Sequence, residues 1–255
     1  MVEPRTAHII RLASPDRQVV YSVAMQAQAE RTAGSSPDAT EIVRSALTGS
    51  GIELVASCGV DVYDGRAPAG FRSADLLEGC RGVVVAASAG PELWRRMRVH
   101  LGGEPLRSSE AHPLDAFVAG LLTRVDGSLT AAGVRFRRFE PTLTAVPRLD
   151  FMALGGLVGL GCPGPFGMLI HPQHGSWWAL RAAWLVAAEV EPPLAVRRAC
   201  ANCPAPCLPT GPSPSLLHAT VEVRSRCIVG AASRYDDDQI AYHYDVARLR
   251  TSKEG

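Results

Sequence analysis

Lysine is almost missing from this chain: Lys253 is the only one in 255 residues. That excludes a Gly-x-x-x-x-Gly-Lys-Ser/Thr phosphate cradle, and no Gly-x-Gly-x-x-Gly stands between an apolar strand and a helix either. Strong net charge is missing too. A formal charge of +1 gives no electrostatic footprint for nucleic acid, so no nucleic-acid partner is expected. No apolar run approaches the roughly 20 residues that cross a bilayer, so no membrane partner is expected. The longest run, from Trp177 to Ala188, is broken by Arg181 and ends at Glu189. The N-terminus has no charged stretch followed by an apolar one, which argues against a signal peptide. Seven cysteines, unevenly spread, fit a reducing compartment better than a disulfide framework. The expected location is cytoplasmic. There is no internal repeat, and strands and helices interleave without a regular β-α-β period, so the expected class is α+β.

What is present suffices for a sizeable core, at 47% hydrophobic and 20% charged residues. Residues 1–40 are read as an unassigned N-terminal extension, with short strands at Ile9–Ile10 and Val19–Val23. Asp38 is a candidate N-cap for a helix carrying Ile42, Val43, Ala46 and Leu47, stopped by Gly49 and Gly51. A strand is expected over Ile52–Tyr63, interrupted at Gly59, and a central buried strand over Gly82–Ala87. Pro91 opens a helix with Leu93, Trp94, Met97 and Leu101, and His112–Val125 forms another. Val134–Phe139 alternates like a strand, and Asp150–Gly161 reads as a helix of small residues.

The most informative stretch is Gly167-Met-Leu-Ile170-His171-Pro172-Gln-His174-Gly175-Ser-Trp177-Trp178-Ala-Leu-Arg181. It reads as an apolar strand, a tight loop and a second apolar run. Pro172 fixes its own φ and pushes His171 towards extended geometry, while Gly175 can take φ > 0 and admit a close approach. Such a turn suits a broad flat ligand with polar edges, or else a buried hairpin with a structural histidine. Arg181 sits inside an apolar run, where an unpaired charge is costly. Five glycines fall between Gly155 and Gly164, implying either a large ligand or tight helix packing. Cys200-Ala-Asn-Cys203-Pro-Ala-Pro-Cys207, with Cys227 further on, offers four thiolates for zinc or an iron–sulfur cluster, or else free thiols.

These residues resemble the cobalamin-processing CblC family. The likeness lies in Pro147-Arg-Leu, Leu154-Gly-Gly156-Leu-Val-Gly159, the Ile170-His-Pro…Gly-x-Trp…Arg181 block, and Arg226 followed by Arg234-Tyr235 and Gln239-Ile-Ala-Tyr242. It covers roughly residues 50–245. Gly156, Gly159, Leu160 and Gly161, with Cys200, Cys203, Leu208-Pro-Thr-Gly211 and Arg226-Cys227, are also similar to the corrinoid-binding reductases acting on epoxyqueuosine. The second iron–sulfur motif of those relatives is not found, and the first is distorted.

The resemblance implies a nitroreductase-like (flavin-reductase-like) α+β fold, with a mixed or antiparallel sheet and flanking helices. It implies a corrinoid-binding domain over 41–190 and a cysteine-containing segment over 191–255 packed on the same site. Cobalamin would bind with its benzimidazole off cobalt and lose its upper ligand, by reductive decyanation or by alkyl transfer to glutathione or another thiol, with a reduced flavin as another possible donor. Arg181 and Arg226 match arginines that contact the thiol's carboxylates. Gly156, Gly159, Leu160, Gly161, Ile170, His171, Pro172, Gly175, Trp177, Trp178, Arg234 and Tyr235 would hold the corrinoid, and Cys200, Cys203, Cys207 and Cys227 a metal. A histidine of animal relatives falls at Gly156, so its role is lost or taken by His171 or His174. Two alternatives stand beside this reading: a corrinoid-dependent reductase with one iron–sulfur cluster, and a non-catalytic cobalamin carrier. The expected assembly is a monomer or homodimer.

Overall fold

The computed structural model describes residues 38–103, 112–141, 149–164, 167–204, 207 and 216–244. The strands expected near Ile9 and Val19 lie outside them, as does the Pro/Gly/Ser-rich stretch 209–215.

Helix α1 (Ala39–Leu47) starts where Asp38 accepts a bond from the Thr40 amide, and it buries Ala39, Thr40, Val43 and Leu47. Strand β1 (Leu54–Gly59) follows. The chain does not stay extended to Tyr63 as its pattern suggests. Gly59 is the N-cap of a short helix, α2 (Val60–Asp64), which turns Tyr63 inwards. After α3 (Ser73–Leu76) comes β2 (Gly82–Ala89), buried through seven of its eight positions. Helices α4 (Glu92–His100) and α5 (Pro113–Ala131) follow, then β3 (Phe136–Phe139). Helix α6 (Phe151–Leu157) is shorter than the Asp150–Gly161 expectation, because Gly159 adopts φ +79° just beyond it. A two-residue pair, β4 (Cys162–Pro163) and β5 (Leu169–Ile170), leads to β6 (Trp178–Val186). The chain then runs through α7 (Leu216–Ser225), a 3₁₀ turn (Ala231–Ser233) and α8 (Asp237–Tyr244).

The main sheet has the order β1-β2-β6-β3, every pair antiparallel. One face packs on α1, α4 and α5 through Val43, Trp94, Met97, Leu122 and Trp184. The other packs on α2 and α6 through Tyr63, Leu154, Val85 and Leu185. The α+β class with an antiparallel sheet and flanking helices is therefore present. Helices on both faces explain why β2 is a continuous apolar run rather than an alternating one.

Two departures from regularity shape one end of the sheet. Ala86 pairs with Ala182 but Ala87 pairs with Leu180, so Arg181 is the extra residue of a β-bulge. And β3 reaches only Ala183–Val186, so Trp178–Ala182 have no strand on that side among the described residues.

Candidate functional site

The loop into β6 is closed from both sides. The His171 amide donates to the Gly175 carbonyl at 2.8 Å, and the Gly175 amide returns a bond to His171 at 2.9 Å. The amides of Gln173 and His174 both donate to His171 Nδ1, each at 3.2 Å. Nδ1 is thus an acceptor, so the neutral ring carries its proton on Nε2. Burial, with a smaller contribution from His174, lowers the His171 pKa to about 4, and the ring stays neutral at physiological pH. His171 is therefore built to donate from Nε2. Using that atom as a metal ligand would break both loop bonds.

The bulge explains Arg181. In regular pairing Leu180 and Ala182 would share a face; here Leu180 packs with the α6 side and Ala182 with the α5 side. Arg181 falls at the switch, and its Nε donates to Ser88 Oγ at 2.9 Å. The side chain is half-buried rather than sealed in. Burial lowers its pKa from the ordinary value, and Tyr235 and Asp115 pull the other way. His243 faces it. Burial, then the positive fields of Arg181 and Arg224, hold that imidazole near pKa about 4. His243 is exposed, with its ring set among those of Trp94, Tyr235, Tyr242 and Tyr244.

Arg224, the second cation acting on His243, is buried in an aromatic cluster. Its guanidinium lies 4.5 Å from the Trp177 ring centre, 4.9 Å from Tyr235 and 5.8 Å from Tyr244. Nη2 donates to the Ser176 carbonyl at 2.6 Å, and Nη1 donates to the Tyr244 hydroxyl. Among the described residues, Arg224 Nε, Ser176 Oγ and Gln239 Oε1 are buried without a hydrogen-bond partner. Leaving such atoms unpaired costs about 1–3 kcal/mol each, so they are places where a ligand or water gains by binding. The two arginines around an uncharged histidine favour an anion such as a carboxylate there.

No protein-family model matches the chain, and no curated protein does. Solved structures do. A C. elegans B12-trafficking protein, CblC, superposes with a TM-score of 0.52 over 81% of this chain and 90% of that one, at 15% identity. The fold is CblC-like. An epoxyqueuosine reductase from Streptococcus thermophilus aligns at TM-score 0.46 and 17% identity, covering 73% of this chain and 55% of that one. A selenomethionine-labelled epoxyqueuosine reductase aligns at 0.46 and 15%, covering 66% and 50%. The chain spans about half the length of these reductases.

On the CblC-like fold, the expected site residues separate. Arg181 lies by His243, Trp177 and Tyr235 are buried with Ile240 against Arg224, and His171 and Pro172 shape the loop into β6. Arg226 does not join them. It pairs with Glu222 at 2.5 Å, with about 42% of its side chain exposed. Arg234 is exposed as well and pairs with Asp237 at 2.8 Å. The family resemblance points to Arg226 rather than to its neighbour Arg224. The available signal was helical spacing. Val223 and Cys227 mark the buried face that includes Arg224, whereas Glu222 and Arg226, four apart, mark the exposed one.

The glycines divide likewise. A Cβ on Gly155 or Gly161 would meet Leu169 or Trp178, one on Gly159 would meet the Leu194 backbone, and one on Gly175 would meet Gly230 and Cys227. Protein already occupies those spaces. Gly156 differs: its nearest neighbour is the Gly161 carbonyl at 3.9 Å. Leu160, Ile170 and Trp178 are buried, and Trp178 donates to the Leu169 carbonyl at 3.0 Å. Cys162, Cys203, Cys207 and Cys227 lie close enough to Cys200 to help burial raise its pKa. No three His, Cys, Asp or Glu side chains are grouped as metal ligands among the described residues.

Proposed function

We propose that this chain binds cobalamin, with the benzimidazole off cobalt, at the open end of its sheet, and removes the upper axial ligand. The observation that carries the reading is the bulge at Arg181, which sets that arginine with Arg224 around His243, on the half of β6 that β3 leaves uncovered. The CblC-like fold supports it, since the C. elegans neighbour is a B12-trafficking protein. We also assign the sheet to the nitroreductase-like class, take 41–190 as the corrinoid-binding body and place the protein in the cytoplasm. The segment after residue 190 supports the same site: Leu194 donates to the Val158 carbonyl at 3.1 Å, and Gly230 nests against Gly175.

The residues present fit a flat ligand with amide edges. Gly156 offers a surface without a side chain, half-buried Ala179 and Leu180 offer apolar contact, and His171 Nε2 offers a donor. In this reading His171 is a donor and not a cobalt ligand, so it does not take the role of the histidine of animal relatives. Arg181 and Arg224, rather than Arg226, would hold the carboxylates of a thiol such as glutathione. That supplies orientation and charge neutralisation. Alkyl transfer to the thiolate forms an S–C bond, breaks the Co–C bond and leaves the electron pair on the metal. The protein's task is placement, while the reactivity belongs to the corrinoid.

The test is a visible absorption titration with cob(II)alamin and methylcobalamin, with and without glutathione. A base-off shift with thiol-dependent loss of the methyl band supports processing. A base-off shift with an unchanged upper ligand, in the presence of thiol and reductant, makes the chain a carrier. No shift with either form removes the corrinoid reading.

A further inference from the structure

The cysteine cluster is the one motif the corrinoid reading leaves unused. Of its five thiols, Cys162, Cys207 and Cys227 are buried at 6%, 5% and 6% exposure, beyond reach of an external reagent. Cys200 and Cys203 are half-buried and reachable. They also sit in a tight turn. The Ala201 amide donates to Arg198 at 3.1 Å and the Cys203 amide to Cys200 at 3.3 Å. An i to i+3 closure of this kind brings the two Cα atoms within about 7 Å, where a disulfide, spanning roughly 4.4–6.8 Å, can form without moving the backbone far. Arg197 and Arg198, both exposed, stand just before the pair and favour the approach of an anionic reagent.

We propose that Cys200 and Cys203 are a redox-active dithiol that closes to an intrachain disulfide by exchange with an anionic low-molecular-weight disulfide. The assignment is independent of the corrinoid site. Either thiol serves as the attacker, since both are half-buried. Its thiolate displaces one thiolate from the external disulfide and forms a mixed disulfide. The other cysteine then loses its proton and attacks the protein sulfur of that mixed disulfide, releasing the second external thiolate. The two protons given up by the cysteines protonate the two released thiolates. One external disulfide is reduced and one cysteine pair oxidised.

The experiment equilibrates the full chain anaerobically, with chelator, in buffers of increasing oxidised-to-reduced glutathione ratio. The samples are acid-quenched, alkylated and mapped by mass spectrometry. Two of the seven thiols should disappear together, in a peptide cross-linked between 200 and 203. Cys200→Ser should trap one glutathione on Cys203, and Cys203→Ser should trap one on Cys200. Seven reactive thiols at the most oxidising ratio would overturn the proposal. So would a cross-link elsewhere, as at Cys58 and Cys80, which also influence each other. Stoichiometric iron or zinc on these sulfurs in anaerobically purified protein would overturn it in favour of a metal centre.

Discussion

Arg224 and Arg226 stand two residues apart on one helix, and replacing each with alanine should give very different results. Arg224 is 7% exposed, faces three aromatic rings and donates two hydrogen bonds. A shielded cation–π contact contributes on the order of 2 kcal/mol. A hydrogen bond from a charged donor contributes about 1.5–3 kcal/mol. Releasing the guanidinium from its desolvated position offsets part of that sum. The net loss for Arg224→Ala is about 3 kcal/mol, which for a domain of this size lowers Tm by roughly 6–12 °C. Arg226 forms one exposed pair with Glu222, and such pairs contribute about 0.5 kcal/mol, so Arg226→Ala should move Tm by no more than about 2 °C. Thermal melts followed by circular dichroism, with urea midpoints as a second measure, decide it. Equal shifts, or a larger shift for Arg226→Ala, would refute the assignment of Arg224 to the buried aromatic cluster.

Acid should weaken the fold through His171. Its folded pKa of about 4 lies below the unfolded value near 6.5, so stability is present above pH 6.5 and is lost as pH falls towards 4. Between pH 7 and 5 that amounts to about 2 kcal/mol. His171→Asn keeps an acceptor for the two loop amides without titrating, and its urea midpoints should show a shallower pH slope; an unchanged slope counts against the His171 account. Gly156→Ala should stabilise the free protein by about 0.5 kcal/mol, since a helix prefers alanine and the space is open, while weakening corrinoid affinity. Gly155→Ala should destabilise instead, because its Cβ would stand 2.7 Å from Leu169; melts and binding titrations separate the pair. Arg181→Ala should lower thiol-dependent turnover much more than corrinoid affinity, and an equal loss of both would place Arg181 against the corrin.

The parts of this account visible in sequence are those set by local pattern. Gly82–Ala87 is apolar enough to be a strand covered on both faces, and Asp38 before an apolar stripe is a capping signal. The resemblance to CblC rested on the His-Pro…Trp…Arg block, and the fold agrees with it. What stayed hidden depends on partners distant in sequence. The bulge at Arg181 exists only because β2 and β6 pair out of step, and neither strand alone shows it. The five-glycine run gave no hint that Leu194 fills the space at Gly159 while Gly156 stays open. Extended geometry ends at Gly59 because α2 packs Tyr63 into the core, a tertiary contact that overrides a strand-like pattern.

Electron paramagnetic resonance of cob(II)alamin mixed with an excess of the protein tests the central claim most directly. The account predicts a base-off signal without nitrogen splitting, because benzimidazole has left cobalt and His171 uses its Nδ1 within the loop. A spectrum identical to free cob(II)alamin, or one split by a protein nitrogen and altered by ¹⁵N-histidine labelling, would contradict it.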